Sequence, residues 1–169
     1  ISACLVGSEM CIETGGTSRF CGLPIHCPTE DMEINQTVLE KLIGPDSTDT
    51  PWRRVEMLGS AWRRLYRREW FVSHQLAYPD EEKVMLEDLP VSIQAHYYSQ
   101  KTLFLDTPAY HYRYNGNSLS TRYRANKMEK LDACFYSVAE FLKEQNLYTD
   151  MEQRHLAWYL RSAGHSASV

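Results

Sequence analysis

Four stretches of this chain place apolar residues every three or four positions, the spacing of one face of an α-helix. This pattern predicts helices near residues 34–43, 88–99, 126–145 and 149–162. Their predicted core stripes are Ile34, Val38, Leu39, Leu42 and Ile43; Leu89, Ile93 and Tyr97; Met128, Leu131, Phe135, Val138 and Leu142; and Met151, His155, Trp158 and Tyr159.

The residues at the ends of these stretches are typical of helix boundaries. Gly44 and Pro45 stop the first helix. Asp88 stands where the N-cap of the second helix is expected, a position that favours a side chain able to accept backbone N–H bonds. Asn126 and Glu129 resemble a capping box at the start of the third helix.

Shorter apolar and aromatic runs between the helices predict strands at residues 58–66, 102–105 and 109–114. A short helix is expected to begin near Arg67, and the partly alternating residues 1–12 suit a strand or a hairpin. Strands mixed with helices indicate an α/β fold.

The composition is that of a folded domain. With 169 residues, 43% of them hydrophobic and 12% aromatic, the chain can bury a core, which excludes wholesale disorder. No apolar run approaches the ~20 residues of a membrane-spanning helix. The formal net charge of −4 argues against a general nucleic-acid binder. The five cysteines lack metal-site spacing, and we expect free thiols in a reducing cytoplasm.

The acidic pair Glu87-Asp88 is the first candidate for chemistry. A carboxylate at a loop-to-helix junction can turn one oxygen toward a substrate hydroxyl and accept its proton. The positive end of the helix dipole favours the ionised form of that carboxylate. The same dipeptide is also an ordinary helix start, in which Asp88 caps the helix and does nothing else.

A basic and aromatic segment is the second candidate. Six of the twelve arginines lie between residues 53 and 68, where Glu56 alone opposes them, so the local charge is +5. Guanidinium groups match the oxygens of diphosphates, and alternating arginines and aromatics can stack on bases or sugars. The other interpretation is a solvated face with Trp62, Leu65 and Tyr66 turned inward and one or two functional arginines.

Residues 110–120 form the third candidate, a run of alternating aromatics that ends in an Asn-Gly-Asn-Ser loop. Arg113 could lie near a diphosphate or an acceptor, and the loop could close over a ligand. An edge strand followed by a turn would have the same pattern.

The order of these segments resembles the acceptor-side half of family 2 glycosyltransferases, the GT-A-fold enzymes that extend bacterial surface polysaccharides. The family pattern is Trp-x-x-Leu-Tyr-Arg-Arg-Glu, then Glu-Asp-Leu, then Tyr-x-Tyr-Arg-x-Asn-x-x-Ser. It stands here at residues 62–69, 87–89 and 110–118. The resemblance covers roughly residues 29–147.

This resemblance implies an inverting transfer of a sugar from a nucleotide-sugar donor, such as a UDP-sugar, to a surface polysaccharide or lipid-linked acceptor. It implies that Asp88 is the catalytic base and that Glu87 occupies the neighbouring motif position. The implied substrate-binding residues are Trp62, Arg67, Arg68, Tyr112, Arg113 and Ser118. His111 falls between matching positions, so no metal ligand is assigned. Four histidines outside the motifs are predicted to be surface or hydrogen-bonded residues: His74, His96, His155 and His165.

The other half of such an enzyme is not found in this sequence, because no suitably placed Asp-x-Asp and no opening nucleotide-binding strand occur. We therefore expect an incomplete GT-A domain over residues 1–125, with a helical segment, 126–169, packed on it. The divalent metal of the whole enzyme, Mg²⁺ or Mn²⁺, would belong to the absent half, so this chain alone should bind none and be inactive. The incomplete sheet should leave an unpaired edge that favours self-association.

The resemblance places the enzyme in the cytoplasm or peripherally at the inner face of the plasma membrane, without a nucleic-acid partner. The alternative is a non-catalytic binding module that grips RNA or anionic lipid with residues 52–70. The arginines favour that alternative, whereas the overall acidity and the placement of Glu-Asp-Leu count against it.

Overall fold

A computed structural model describes the chain over residues 2–4, 10–12, 16–18, 28–29, 32–46, 59–100, 102–104 and 126–167. The helices within these ranges are α1 Met32–Ile43, α2 Arg68–Ser73, α3 Asp88–Tyr98, α4 Lys127–Glu144 and α5 Tyr148–Ala167. All four helices expected from the apolar spacing are present, and α5 continues past its predicted end through Gly164. The short helix expected near Arg67 is α2.

The strands within the described ranges are short: β1 Ser2–Cys4, β2 Met10–Ile12, β3 Gly16–Ser18, β4 Pro28–Thr29, β5 Arg64–Tyr66 and β6 Thr102–Phe104. Four of them form a mixed sheet in the order β4-β6-β1-β5, and β2 and β3 form an antiparallel pair. In this sheet Ala3 lies opposite Leu65 of antiparallel β5 and opposite Leu103 of parallel β6. Strand β5 is therefore at one edge of the described sheet.

The strand predicted at residues 58–66 is wrong over its first part, because Ala61–Arg63 form a 3-10 turn and the strand begins at Arg64. The strand predicted at 102–105 is β6, and the one predicted at 109–114 lies outside the described residues. Helices and short strands are both present, while the GT-A arrangement and the division at residue 125 stay predictions.

The main core lies where α1, α3, α4 and α5 meet. Its buried members are Val38, Leu39, Leu42, Ile43, Leu89, Ile93, Leu131, Cys134, Val138, Phe141, Leu142, Met151 and Trp158. Burying these side chains against each other stabilises the helices, which in isolation are marginal in water.

The start of α4 differs from its prediction. Met128 is exposed rather than part of the core, and Lys130 is buried instead. The reason is that the loop before α3 packs on this turn: the Lys130 carbonyl accepts a hydrogen bond from the Met85 amide at 3.1 Å. The ammonium of Lys130 lies 3.3 Å from the Glu81 carbonyl. Asn126 is at the N-cap, but its side chain makes no capping hydrogen bond, so the capping box is wrong.

The end of α1 is fastened to α5 at Gly44. A Cβ atom at this glycine would lie 1.8 Å from the carbonyl oxygen of Arg154, so α1 and α5 approach too closely for any other residue. The Arg154 guanidinium donates to the Gly44 carbonyl at 3.1 Å and pairs with Asp46 at 3.1 Å. The glycine that stops the helix is thus also a packing contact.

Candidate active site

Helix α3 has a polar stripe beside its apolar one. Asp88, Ser92 and His96 recur at four-residue intervals and therefore lie on one face of the helix. Ser92 and His96 are buried and Asp88 is half-buried. This stripe, which we call the polar seam, faces the segment 59–64 that leads into β5.

Two hydrogen bonds join the polar seam to that segment. The Asp88 Oδ2 oxygen accepts a hydrogen bond from the Ala61 amide at 2.9 Å. One turn further along α3, the Ser92 hydroxyl donates to the Gly59 carbonyl at 2.6 Å. Gly59 fits closely here, because a Cβ atom on it would lie 3.3 Å from Leu89 Cδ1. The position of the Asp88 carboxylate is therefore set by a contact far away in the sequence.

The predicted N-cap role of Asp88 is wrong. Asp88 is the first residue of α3, and Glu87 precedes it at the N-cap with a helical backbone and no side-chain cap. The cause is the turn at Leu86, where φ is 58° and the carbonyl accepts a hydrogen bond from the Leu89 amide at 2.8 Å. The chain turns into the helix early, so the Asp88 side chain reaches toward residue 61 instead of its own helix end.

One oxygen of the Asp88 carboxylate is anchored and the other is available. Within the part of the chain that the structure describes, Oδ1 has no hydrogen-bond partner. A carboxylate held through one oxygen is restricted in orientation, and its second oxygen can accept a proton from a bound hydroxyl. The anchored carboxylate is therefore the group of this site that is suited to acid–base chemistry.

Strand β5 brings a buried cation within electrostatic reach of the polar seam. Arg64 is 6% exposed while its neighbour Leu65 is 61% exposed, so the prediction that Leu65 turns inward is wrong. Successive residues of a strand point to opposite faces, and here Arg64 and half-buried Tyr66 share the inner face. On that face the Arg64 guanidinium lies within electrostatic reach of His96 on α3 and of Tyr78.

The last residue of the polar seam along α3 is a buried, neutral histidine. Burial, and secondarily the positive charge of Arg64, hold the pKa of His96 well below its usual value. Neither ring nitrogen of His96 has a hydrogen-bond partner in the described structure, so the prediction of a surface or hydrogen-bonded histidine is wrong. His155 departs from that prediction in the same way, whereas His74 hydrogen-bonds the Trp70 carbonyl at 2.8 Å as predicted.

Two further groups lie within electrostatic reach of the acidic pair. Burial raises the pKa of the Cys134 thiol of α4 to about 12, and the carboxylates of Asp88 and Glu87 add to the increase. The thiol is free and stays protonated at neutral pH. Burial also raises the pKa of Tyr78 to about 12, with further increases from Tyr66 and Asp88 and a decrease from Arg64. Both groups therefore remain neutral next to the acidic pair.

The other predicted site residues differ in their position relative to Asp88. Trp62 follows Ala61, whose amide Asp88 binds, directly in the 3-10 turn and is half-buried. Arg67 and Arg68 are exposed at the start of α2. Three predicted residues lie outside the described residues: Tyr112, Arg113 and Ser118.

Sequence reasoning missed Ser92, His96, Arg64 and Tyr78. The four-residue spacing of the polar seam was a usable signal for the first two. Nothing in the local pattern distinguishes Arg64 from the five arginines around it, or Tyr78 from other loop aromatics.

The described ranges contain no group of three or more histidine, cysteine, aspartate or glutamate residues that could hold a metal ion. The described residues thus offer no fit for the divalent ion that the resemblance implies. Over those ranges, too, no helix has the length and apolar character needed to cross a membrane.

Comparison with known proteins gives one informative similarity. The chain is 35% identical over 89 residues to a protein named "Putative glycosyltransferase EpsH" from Bacillus subtilis. The aligned part is 52% of this chain and 26% of that protein, so the chain spans about a quarter of its relative's length. No family model matches the chain, and no solved structure matches it significantly. Over half of its length, this chain is related to a glycosyltransferase.

Proposed function

We propose that this chain is the acceptor-side part of an inverting family 2 glycosyltransferase of GT-A fold. The whole enzyme transfers a sugar from a nucleotide-sugar donor to a surface polysaccharide or a lipid-linked acceptor. The observation that carries the proposal is the Asp88 carboxylate, anchored to the Ala61 amide through Oδ2 with Oδ1 left available. The similarity to a glycosyltransferase supports the reaction class.

Asp88 acts as the general base. The acceptor hydroxyl lies against Oδ1, and its oxygen attacks the anomeric carbon of the donor from the side opposite the diphosphate. As the new C–O bond forms, the proton passes to Asp88, and the electron pair of the breaking C–O bond leaves with the nucleoside diphosphate. Glu87, at the N-cap, adds a second carboxylate beside this position.

The burial of Arg64 removes one of the six arginines on which the binding-module alternative depends. A polyanion binder needs its cations at the surface, and Arg64 is 6% exposed. Arg67 and Arg68, which are exposed, remain available to the donor diphosphate or the acceptor.

The test is Asp88→Asn in the full-length protein that contains this chain. Asparagine keeps a side-chain oxygen for the Ala61 amide, so the melting temperature should stay close to that of the wild type. It removes the basic carboxylate, so the transfer rate should fall about 10²–10⁴-fold, while donor affinity stays nearly unchanged.

The matched control is Asp80→Asn in the loop that precedes α3. Asp80 also accepts a backbone hydrogen bond, from the Glu82 amide at 2.9 Å, but it is exposed. Its replacement should leave both stability and transfer rate unchanged. UDP release is measured with UDP-glucose and UDP-N-acetylglucosamine as donors and p-nitrophenyl glycosides as acceptors. Wild-type turnover in Asp88→Asn would remove Asp88 from the mechanism.

A further inference from the structure

Tyr78 is a half-exposed aromatic ring in the loop between α2 and α3. Its side chain is 42% exposed, and its ring stacks on that of Phe71 with centroids 6.0 Å apart and planes 21° apart. The stack uses one side of the ring, and the exposed fraction leaves part of the ring accessible to solvent. An aromatic ring held in this way is a preformed contact surface for a ligand.

The rings behind Tyr78 connect it to β5. Phe71 packs on Tyr66 with centroids 5.2 Å apart, and Tyr66 stacks on Trp70 at 6.1 Å. Tyr66 and Arg64 lie on the same face of β5, with Leu65 between them in the chain. Because these contacts already fix the Tyr78 ring, a ligand that stacks on it loses little side-chain entropy.

Tyr78 also lies within electrostatic reach of Asp88 and Arg64. Burial raises the pKa of the phenol most; the Arg64 guanidinium lowers it and the Asp88 carboxylate raises it further, so both charges act on this phenol. The phenol stays protonated at neutral pH and interacts with the Tyr66 hydroxyl, and its remaining hydrogen-bonding capacity can serve a ligand. Tyr78 thus combines an accessible ring, a polar tip and proximity to the carboxylate of the site.

These properties match the chemistry of a sugar. A pyranose has a face of C–H groups, which packs on an aromatic ring, and a rim of hydroxyls, which form hydrogen bonds with polar tips such as a phenol. We propose that Tyr78 binds the acceptor saccharide next to Asp88 and so positions the reacting hydroxyl. This inference rests on the proposed glycosyl transfer, and it assigns Tyr78 to the acceptor rather than to the donor.

The first measurement is binding, which does not require turnover. Saturation-transfer NMR is recorded on the full-length protein with p-nitrophenyl β-glucoside and p-nitrophenyl β-N-acetylglucosaminide as probes. We expect wild type to bind at least one of them and Tyr78→Ala to weaken that affinity about tenfold, the loss of one aromatic contact. Tyr78→Phe, which keeps the ring, should stay within about threefold of wild type.

The matched control is Tyr136→Ala. Tyr136 is 63% exposed on α4 and contacts Phe135 edge-on, so it offers a comparable ring away from the loop that carries Tyr78. Its replacement should leave glycoside affinity unchanged. Three outcomes would each overturn the assignment of Tyr78. They are loss of glycoside affinity in this control, equal glycoside affinity of Tyr78→Ala and wild type, and absence of glycoside binding to wild type.

The second measurement is steady-state transfer with the glycoside that binds. Tyr78→Ala should raise the acceptor KM about tenfold, with kcat and the donor KM within about threefold of wild type. A purely structural role would lower the melting temperature and kcat together instead. Absence of transfer by the wild type would refute the proposed function, whereas transfer with an unchanged acceptor KM in Tyr78→Ala would refute this inference alone.

Discussion

Acidification is expected to destabilise the packing of α5 on α4 through His155. This side chain is 0% exposed and lies parallel to Phe135, with ring centroids 4.2 Å apart and an interplanar angle of 7°. Neither of its ring nitrogens has a hydrogen-bond partner among the described residues. Burial lowers its pKa from 6.5 to about 4, because a charged imidazolium cannot be solvated there.

The magnitude follows from the two pKa values. Below pH 6.5 the unfolded chain binds a proton at His155 that the folded chain does not, so stability is lost as pH falls and the loss is complete near pH 4. The full loss is about 3 kcal/mol, and about 2 kcal/mol of it is already lost at pH 5. For a protein of this size, the loss at pH 5 lowers the melting temperature by about 4–8 °C.

The assay is urea unfolding at pH 7 and pH 5 of wild type and His155→Phe. The readout is the difference in unfolding free energy between pH 7 and pH 5. A packing cost of phenylalanine that does not depend on pH cancels in this difference, and the contribution of buried His96 cancels between variant and wild type. On acidification from pH 7 to pH 5, the unfolding free energy of the variant should fall by about 2 kcal/mol less than that of wild type. Tyr148→Phe, at a ring 6.2 Å from His155, should keep the wild-type difference. Equal losses in His155→Phe and wild type would refute the reasoning.

Two paired substitutions test the helix contacts. Ser92→Ala removes a buried hydroxyl of the polar seam and should cost about 1–3 kcal/mol of unfolding free energy, whereas exposed Ser73→Ala should cost under ~0.5 kcal/mol. Equal losses by urea unfolding would show that the seam does not hold residues 59–64. Gly44→Ala should cost about 2–3 kcal/mol, since its Cβ would collide with the Arg154 carbonyl. Gly164→Ala, with open space around it inside α5, should stabilise the protein by about 0.5–1 kcal/mol. A melting temperature of Gly44→Ala at or above that of wild type would contradict the close approach of α1 and α5.

The helices could be predicted from the sequence because their signal is local. Apolar residues at helical spacing predicted α1, α3, α4 and α5, and the glycine after Ile43 marked the end of α1. The acidic pair could also be identified, because its residue types and its place before an apolar stripe are visible in a few adjacent letters. Helix formation depends on residues close together in the sequence, and so does the position of an acidic pair at the start of a helix.

The surroundings of that carboxylate could not be predicted, because they come from the far side of a loop. Asp88 is tied to an amide 27 residues earlier, and Ser92 to a carbonyl 33 residues earlier. Leu65 is the aliphatic residue of β5, so local hydrophobicity favoured it for the interior. Tertiary packing placed the polar seam against that strand and buried Arg64 instead. Local sequence is enough to predict the helices and the candidate base. The inward face of β5, the anchor of Asp88 and the neighbours of Tyr78 depend on how distant segments pack together.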